Sequence, residues 1–594
     1  MRTWVLGAAT AVLVALAAAA PGGEAEPRAG ALRGPAPAAF AGPDGRRALS
    51  GPWWVSRSPG RRGRQVALPH VPGARELTMR GFEGSVAWFR TTLRVPATGD
   101  YAVRFESVGH RATVRLDGRV VARHTGAQLA FEVRRRLRAG AHRLVVFADW
   151  RDPDAMRAAG WHRTWFNFGG IGREVTIRRL AASELDAPGI VTRLAGRAAV
   201  VDVTVRVRNR TRARTLAVRG RLGATPLRFP PLRLGPGAAA WVRTRVRIAR
   251  PDLWRPGHPA LVALRLAVPG ETGYRARVGL RAIGWRDGRL TLNGAPLRLR
   301  GVALHEDAPG RGDGLRPAEM DVIVARLRRL GANATRSQHP LDPALLERLD
   351  RAGILVWQGI GPVDHPGDFE SPLRPALRRA RVAILQARAH PSVVVWSLAN
   401  EVRANGAPGG RQAAYVRRAA AAAHALDPGR PVAVDVWGKH LPPAAGPLYA
   451  GLDAVGVTNY EGWYHGLYAP GPVVGRRIRA FVGRLHALFA RKVVVISEFG
   501  AEGDARNPPD APGGLRFQAR VLARHMRAYR DDPRLDGTLA WVLQDFAIRP
   551  NFLGGSVRNA APDIRLRRGL NQKGLYTYGG RPKPAAATLR ALWR

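Results

Sequence analysis

Two glutamates of this 594-residue chain stand directly after short apolar stretches. The run Val393–Trp396 leads to Asn400 and Glu401, and the run Val493–Ile496 leads to Glu498. Short β-rich runs bounded by residues such as proline and asparagine are typical of buried strands. Catalytic side chains of a parallel barrel lie at the carboxyl ends of its strands. The two runs therefore predict two carboxyl groups on one face of a barrel, which is what cleavage of a glycosidic bond requires.

Further motifs accompany Asn400-Glu401 and Ser497-Glu498-Phe-Gly in a fixed order along the chain. They are Phe166-Asn-Phe-Gly-Gly-Ile-Gly-Arg173, Arg300-Gly-Val-Ala-Leu-His305-Glu-Asp307, Tyr460-x-Gly-Trp463-Tyr464, Trp541-x-x-x-Asp545-Phe546 and Asn571-Gln-Lys573-Gly574. Together they resemble glycoside hydrolase family 2, the family of β-galactosidases, β-mannosidases and β-glucuronidases, and most closely its β-glucuronidase branch. One motif alone would be a weak indication, whereas the six of the second half in register are a strong one, and the run from Phe166 to Arg173 extends the match into the first half.

The resemblance implies roles for the two glutamates. Glu401 would be the general acid and base and Glu498 the nucleophile of a retaining mechanism, in which the two carboxyl groups lie roughly 5 to 5.5 Å apart. The alternative is that both are surface glutamates at strand ends, which would be the better interpretation of a lone glutamate. Two apolar strands ending in the same way, each within its family motif, favour the catalytic interpretation.

The resemblance also implies a set of substrate-binding residues. Asn400 would bind the 2-hydroxyl of the sugar, and Tyr460 would donate a hydrogen bond to the nucleophile. Trp541 would offer a flat apolar face to the sugar ring, although a core tryptophan is nearly as consistent with its surroundings in the sequence. His305 and His339 match family positions near the floor of the site, and each could equally be an ordinary buried histidine.

The identity of the sugar depends on Asn571 and Lys573. The resemblance implies that this pair binds the carboxylate of a glucuronide, and lysine is well suited to hold an anion. A similar run also occurs in relatives with galactosidase activity. Three departures from the family pattern leave the choice of sugar open: Thr164 stands where the glucuronidase branch has an aspartate, Thr458 stands where an asparagine is expected, and Gln358 stands where an acidic residue is common.

A metal site is the obvious alternative for His305, Glu306 and Asp307, which are adjacent in the sequence. Consecutive residues of a strand point to opposite faces and cannot all bind one ion. The sequence therefore predicts no metal and no cofactor.

The chain is long enough for several domains. Alternating short strands separated by turn residues predict an antiparallel sandwich followed by a smaller immunoglobulin-like sandwich. The resemblance implies that the first of these is the family's sugar-binding jelly roll. From about residue 282 strands alternate with helices, such as the helix that Pro317 begins and Gly331 ends, and this rhythm predicts a (β/α)₈ TIM barrel. The predicted division is a signal peptide (1–26), a flexible lead-in (27–44), a sugar-binding jelly roll (45–183), the sandwich (184–283) and a catalytic barrel (284–594).

The amino terminus has the pattern of an export signal. Arg2 precedes an apolar stretch from Val5 to Ala20, and small residues follow it. The stretch is shorter than the roughly 20 residues that span a bilayer, which favours removal over anchoring. The chain has no cysteine. A secreted protein without disulfides must derive its stability from the size of its core.

The formal net charge of +51 raises the question of nucleic-acid binding. Only four residues are lysines, at 439, 492, 573 and 583, so arginine supplies nearly all of the positive charge and is spread along the whole chain. A nucleic-acid-binding protein usually gathers such charge on one face and carries a recognition motif. The sequence indicates neither, although the charge itself would attract polyanions at low salt.

These observations predict a secreted, retaining, exo-acting β-glycosidase with β-glucuronidase as the first choice of activity. A β-galactosidase or other β-hexosidase is the alternative within the same class. A non-catalytic carbohydrate-binding protein on the same fold and a polyanion-binding protein are the alternatives of other classes. The expected partner is a carbohydrate substrate, with no specific nucleic acid and no membrane after removal of the signal peptide, and a homo-oligomer is left open.

Overall fold

The computed structural model describes residues 37–60, 63–158, 164–362, 373–402 and 410–593. Its centre is a closed barrel of eight parallel strands in which the first strand pairs with the eighth. In chain order, barrel strands 1 to 8 are Leu299–Ala303, Ala334–Ser337, Leu355–Gly359, Val393–Ser397, Val432–Val436, Ala454–Thr458, Val493–Glu498 and Gly537–Ala540. The predicted barrel is confirmed. Strands such as Val393–Ser397 and Val493–Glu498 are mainly apolar because helices cover the outside of a parallel sheet.

Helices surround the barrel. They are Pro317–Leu330, Pro343–Ala352, Leu373–Ala387, Arg411–Leu426, Gly471–Phe489, Leu515–Tyr529 and Pro584–Trp593. The helix that Pro317 begins ends at Gly331, whose φ of 78° is the left-handed conformation that glycine adopts without strain. Strands 5 and 6 are joined by two 3₁₀ turns, Gly438–His440 and Pro447–Tyr449, in place of a long helix.

The first β-sandwich lies before the barrel in the chain. Its six-stranded sheet contains, in spatial order, Arg64–Val66, Trp53–Ser56, Val86–Val95, Gly140–Asp149, Arg111–Leu116 and Arg119–Thr125. Its four-stranded sheet contains Arg47–Ala48, Val175–Arg179, Gly99–Phe105 and Phe131–Leu137. Short helices lie at Met79–Glu83 and Pro153–Ala158. All strand pairs are antiparallel, and alternate side chains such as Phe89 and Val146 fill the space between the sheets.

A second, smaller β-sandwich follows. Its three-stranded sheet contains Ser183–Ala195, Ala198–Asn209 and Ala239–Ile248. Its five-stranded sheet contains, in spatial order, Gly42–Pro43, Thr272–Val278, Val262–Val268, Arg219–Leu222 and Thr225–Arg228. A two-stranded sheet contains Arg214–Leu216 and Leu232–Leu234. The alternating valines at 201, 203, 205 and 207 are fully buried in its core.

The predicted flexible lead-in, residues 27–44, is wrong for its described end. Gly42 and Pro43 pair with Arg275 and Tyr274 as an edge strand of the second sandwich. In addition, the backbone N–H of Ala41 donates to Glu347 on a barrel helix at 2.6 Å. Composition alone could not predict this, because the partners lie more than 200 residues away. Residues 27–36 and the predicted signal peptide lie outside the described residues.

One end of the barrel is closed by apolar packing. Three short strands lie at this end: Ile283–Gly284, Thr291–Leu292 and Ala295–Pro296. Leu292 and the nearby Leu290 pack with interior side chains such as Trp357 and Val395. The opposite end, where the strands finish, therefore holds the polar side chains. Among the described residues, no helix has the length and apolar character needed to cross a membrane.

Candidate active site

Glu498 is the last residue of barrel strand 7 and is 4% exposed. Its Oε1 accepts hydrogen bonds from Arg336 at 2.8 Å and from Gln338 at 2.9 Å. Its Oε2 accepts one from the hydroxyl of Tyr460 at 2.9 Å. Burial, and then the charge of Glu498, raise the pKa of Tyr460 well above its usual value, so that the phenol stays a donor. Three donors on two oxygens hold this carboxylate in one orientation.

Arg336, at the end of barrel strand 2, joins the tips of strands 4 and 7. Besides Glu498, its guanidinium donates to Oδ1 of Asn400 at 2.6 Å and lies 3.3 Å from Asp435. It is 1% exposed. Burial opposes its charge, but Asp435 and Glu498 outweigh burial and raise its pKa. Asn400 and Glu498 thus meet on one guanidinium, as expected if the two strand tips share a site.

Glu401 follows Asn400 and is 5% exposed. Its φ of 47° lies in the left-handed region, which is uncommon for a residue with a side chain. Hydrogen bonds on both sides hold this turn, from Asn400 N to Pro362 O at 3.2 Å and from Val402 N to Asp435 O at 2.8 Å. Backbone strain of this kind is concentrated at functional sites, where the surrounding structure maintains it.

Aromatic rings form one wall of the site. Trp541 directly follows strand 8, is 6% exposed, and lies 5.2 Å from His305 and 5.9 Å from the guanidinium of Arg336. His305 stacks on Phe546 at 4.0 Å and lies 5.8 Å from His339. Burial lowers the pKa of both histidines, to about 3 for His339, so both rings are neutral near neutral pH.

Lys573 is 1% exposed and is already paired. Its ammonium donates to Glu502 at 2.9 Å and to the hydroxyl of Tyr464 at 3.0 Å. Although burial opposes its charge, Glu502 and Tyr464 raise its pKa above the usual value. Asn571 accepts from the backbone N–H of Lys573 at 3.1 Å. Among the described residues, these two hydrogen bonds use two of the three donors of the ammonium.

The three departures from the family pattern have structural partners. Thr458 Oγ1 accepts from Gly438 N at 3.1 Å, and Gln358 donates to the carbonyl of His339 at 2.6 Å. The carbonyl of Thr164, in the first sandwich, accepts from Arg549 N at 2.8 Å. Thr458 and Gln358 are therefore buried side chains that hold the backbone of Gly438 and His339.

The side chains of Glu306 and Asp307 are held by other parts of the fold. Glu306 accepts from Arg173 at 2.7 Å, and Asp307 accepts from Tyr578 at 3.1 Å. Within the residues that the structure describes, no group of three or more histidine and acidic side chains could hold a metal ion. The Arg173 contact also fastens the first sandwich to the barrel.

Three site residues had no role assigned from the sequence: Arg336, Gln338 and Glu502. Arg336 could have been found by the rule that identified the glutamates, because it is a charged residue at the carboxyl end of a barrel strand. Gln338 and Glu502 lie one or four residues beyond a strand end, and nothing in their types or spacing indicates where their side chains point.

Gly456 of barrel strand 6 leaves room for Asp435. A Cβ added at Gly456 would lie 2.1 Å from Asp435 Oδ1, and the Asp435 carboxylate cannot easily move because Ser397 and Trp357 donate to its other oxygen at 2.5 and 3.3 Å. We expect Gly456→Ala to lower the free energy of unfolding by about 1 to 3 kcal/mol, as overpacking does. It should also lower kcat, because the displaced Asp435 moves Arg336. Thermal unfolding and glycosidase assays measure both effects. Unchanged kcat would mean that the position of Asp435 does not affect the reaction.

The ends of barrel strands 2, 4, 7 and 8 thus present a shared arginine, a glutamate, a second carboxylate fixed by three donors and a tryptophan wall. Residues 283–471 match the family model described as the TIM barrel domain of glycosyl hydrolases family 2. The chain is a glycoside hydrolase. It resembles glycoside hydrolase family 2 and, within that family, the β-glucuronidases.

Two relatives show the same resemblance. The chain is 27% identical to a β-glucuronidase of Paenibacillus borealis, across 92% of this chain and 96% of that protein. It is 29% identical to the β-glucuronidase of Rattus norvegicus, across 59% of this chain and 54% of that protein.

Two solved structures share the fold. A β-galacturonidase of Eisenbergiella tayi bound to galacturonate has a TM-score of 0.80 at 22% identity, covering 93% of this chain and 98% of that one. A β-glucuronidase of Ruminococcus gnavus in complex with D-glucaro 1,5-lactone has a TM-score of 0.78 at 20% identity, with the same coverage. The predicted multidomain fold of two β-sandwiches and a barrel is therefore confirmed.

Proposed function

We propose that this chain is a secreted, retaining, exo-acting β-glycosidase that removes terminal β-linked uronates, with β-glucuronides as the first choice. The observation that carries the proposal is the environment of Glu498, a carboxylate fixed by Arg336, Gln338 and Tyr460 beside the Asn400–Glu401 turn. A carboxylate held in this way is a prepared nucleophile.

In the first step Glu498 attacks the anomeric carbon while Glu401 donates a proton to the leaving oxygen. The glycosidic bond breaks and a glycosyl ester forms on Glu498. In the second step Glu401 takes a proton from water, the water oxygen attacks the anomeric carbon, and Glu498 leaves as a carboxylate. Arg336 and Tyr460 stabilise the carboxylate before the first step and after the second, and Asn400 binds the 2-hydroxyl.

Lys573 supports a uronate as the substrate. Its remaining N–H, together with the hydroxyl proton of Tyr464, offers two donors to a substrate anion. Glu502 neutralises part of this charge, so the preference comes from directed hydrogen bonds more than from net charge. The names of the similar proteins, β-glucuronidases and a β-galacturonidase, point to the same class of sugar. A β-galactosidase is the second candidate, because one structure with a TM-score of 0.77 is a putative β-galactosidase of Bacteroides fragilis.

A panel of nitrophenyl β-glycosides tests the substrate. Glucuronide and galacturonide should be hydrolysed faster than galactoside, glucoside and mannoside. Lys573→Ala should lower kcat/KM for the preferred uronide by about 10- to 100-fold, the value of one or two hydrogen bonds to a charged group, and change neutral glycosides little.

Two controls accompany the Lys573 variant. Because Lys573→Ala leaves Glu502 buried without its partner, the double variant Lys573→Met with Glu502→Gln removes both charges. Lys492→Ala removes a lysine at the opposite end of barrel strand 7, where it donates to Leu452 O at 2.6 Å. A neutral sugar as the best substrate, or an unchanged uronide preference in the Lys573 variants, would reject carboxylate recognition by this lysine. Failure to hydrolyse any glycoside would favour a carbohydrate-binding protein.

Secretion is supported by the sequence of residues 1–26, a charged start followed by an apolar stretch and small residues. Expression of the full chain in a secreting bacterial host, followed by amino-terminal sequencing of the protein outside the cytoplasm, tests it. A new terminus near residue 26 is the expected result, and retention of Met1 in the cytoplasmic fraction would reject it.

A further inference from the structure

A chain of two hydrogen bonds connects the first β-sandwich to Glu498. The indole Nε1–H of Trp165 donates to Oε1 of Gln338 at 3.1 Å. The amide Nε2–H of Gln338 donates to Oε1 of Glu498 at 2.9 Å. Trp165 belongs to the sandwich, whereas the other two residues belong to the barrel. The two hydrogen bonds therefore connect two parts of the fold.

The two ends of this chain fix the orientation of the Gln338 amide. An indole N–H can only donate, and an ionised carboxylate can only accept. The amide oxygen must therefore face Trp165 and the amide nitrogen must face Glu498. In the flipped orientation, the oxygen would face the carboxylate and the nitrogen would face another donor, and both contacts would be repulsive. Without Trp165, only the contact with Glu498 would favour this orientation, and the amide would lose the donor that fixes its oxygen.

Trp165 is itself held in place by the barrel. The residue after it, Phe166, donates its backbone N–H to Ala547 O at 3.0 Å, and Trp165 forms a β-bridge with Ile548. Its ring packs edge-on against His305 at 4.9 Å and His339 at 5.4 Å. The indole N–H therefore has a fixed direction, and Gln338, which is 7% exposed, has little room to turn away.

We propose that Gln338 is a positioning residue for Glu498 and that Trp165 acts through it, so that the first β-sandwich orients the nucleophile of the barrel. The proposal rests on the nucleophile role of Glu498 given above. It assigns to the sandwich a part in the chemical step through Trp165, which does not require contact between that residue and the substrate. With Arg336, Gln338 places two donors on one carboxylate oxygen and prevents rotation of the carboxylate.

Four variants test this chain. Trp165→Phe keeps the ring and removes the N–H, and we expect kcat on an aryl glycoside to fall about 10-fold with KM nearly unchanged. Gln338→Met keeps the length and removes both polar atoms, and should lower kcat by at least as much. Gln338→Asn keeps the amide but is one methylene too short to reach both partners, and should resemble the Met variant. In the double variant of Trp165→Phe with Gln338→Met, the kcat should equal that of Gln338→Met alone.

The double variant separates positioning from general stability, because two independent effects would multiply. Trp53→Phe is the matched control, since Trp53 is a fully buried tryptophan of the same sandwich whose Nε1–H donates to Leu49 O at 2.7 Å. It should lower the unfolding temperature and leave kcat unchanged. Wild-type kcat in Trp165→Phe, full activity in Gln338→Asn, or multiplied losses in the double variant would each overturn the proposal.

A measurement without turnover keeps this proposal distinct from the proposed function. In the protein labelled with ¹⁵N-tryptophan, loss of one indole N–H signal in Trp165→Phe assigns that signal to Trp165. The signal should move in Gln338→Met and also in Glu498→Gln, because the change at Glu498 reaches Trp165 through the amide. If the wild type hydrolyses no glycoside, the proposed function fails. The shifts of the indole signal still decide whether the hydrogen bonds from Trp165 through Gln338 to Glu498 form. A Trp165 signal that is the same in wild type and Gln338→Met would reject it.

Discussion

Glu498→Gln should lower kcat by on the order of 10⁴-fold or more on any accepted aryl glycoside, because an amide cannot form the glycosyl ester. The fold should persist, since the glutamine keeps the shape of the side chain. Of the two side-chain atoms that accept hydrogen bonds in the wild type, one becomes an NH₂ group, so a modest loss of stability is expected. Steady-state kinetics and thermal unfolding of the same preparation give both values.

A matched control uses a glutamate of the barrel outside the site. Glu319 accepts the backbone N–H of Arg316 at 2.9 Å at the start of the first barrel helix. Glu319→Gln should cost at most about 1 kcal/mol of stability and leave kcat unchanged. Activity of Glu498→Gln within about 10-fold of wild type, after exclusion of contaminating enzyme, would reject Glu498 as the nucleophile.

Small anions can then assign the two glutamates separately. In Glu498→Ala, azide can enter the space left by the carboxylate and attack the anomeric carbon directly, giving a product of inverted configuration. In Glu401→Ala, the glycosyl ester on Glu498 still forms from a substrate with a good leaving group, and azide attacks it with net retention. Exchanged stereochemical outcomes would mean that the roles of Glu401 and Glu498 are reversed.

The sequence was informative where function is local to a strand end. Apolar runs ending in Glu401 and Glu498 indicated both carboxylates, because the eight strands must bury continuous apolar faces and their polar residues can only emerge at the ends. The same logic would have indicated Arg336. The helix from Pro317 to Leu330 was predicted at both ends, since proline at its start and glycine after its end act locally.

The sequence was uninformative where function depends on contacts between distant segments. The pairing of Lys573 with Glu502 and the bond from Trp165 to Gln338 join residues that lie 71 and 173 positions apart. The edge strand at Gly42 likewise depends on a partner near residue 275. No periodicity or spacing encodes such pairs in a single sequence, and the proposals on substrate preference and on the orientation of Glu498 rest on them.

Arg336→Met should affect stability and activity together. Removal of a buried guanidinium leaves Glu498 and Asp435 without their shared cation, and breaking a buried ion pair in this way costs about 3 to 5 kcal/mol of unfolding free energy. The kcat of the folded fraction should fall about 10² to 10³-fold, as for loss of one preorganised donor at a reacting centre. Arg336→Lys should recover part of the stability and little of the activity, because a single ammonium cannot reach Glu498 and Asn400 with the planar geometry of the guanidinium.

Arg430 provides the control that separates these two effects. It is also 1% exposed, pairs with Asp427, and donates to Val393 O at 2.6 Å at the start of barrel strand 4, the end opposite to the site. Arg430→Met should cost a comparable free energy of unfolding and leave kcat of the folded protein unchanged. Equal losses of kcat in both variants, at a temperature where both are folded, would mean that Arg336 matters only for stability. A loss of kcat in Arg336→Met but not in Arg430→Met would mean that the chemical step depends on the link between Asn400 and Glu498. Arg336 donates to both of these residues, whereas Arg430 donates to neither.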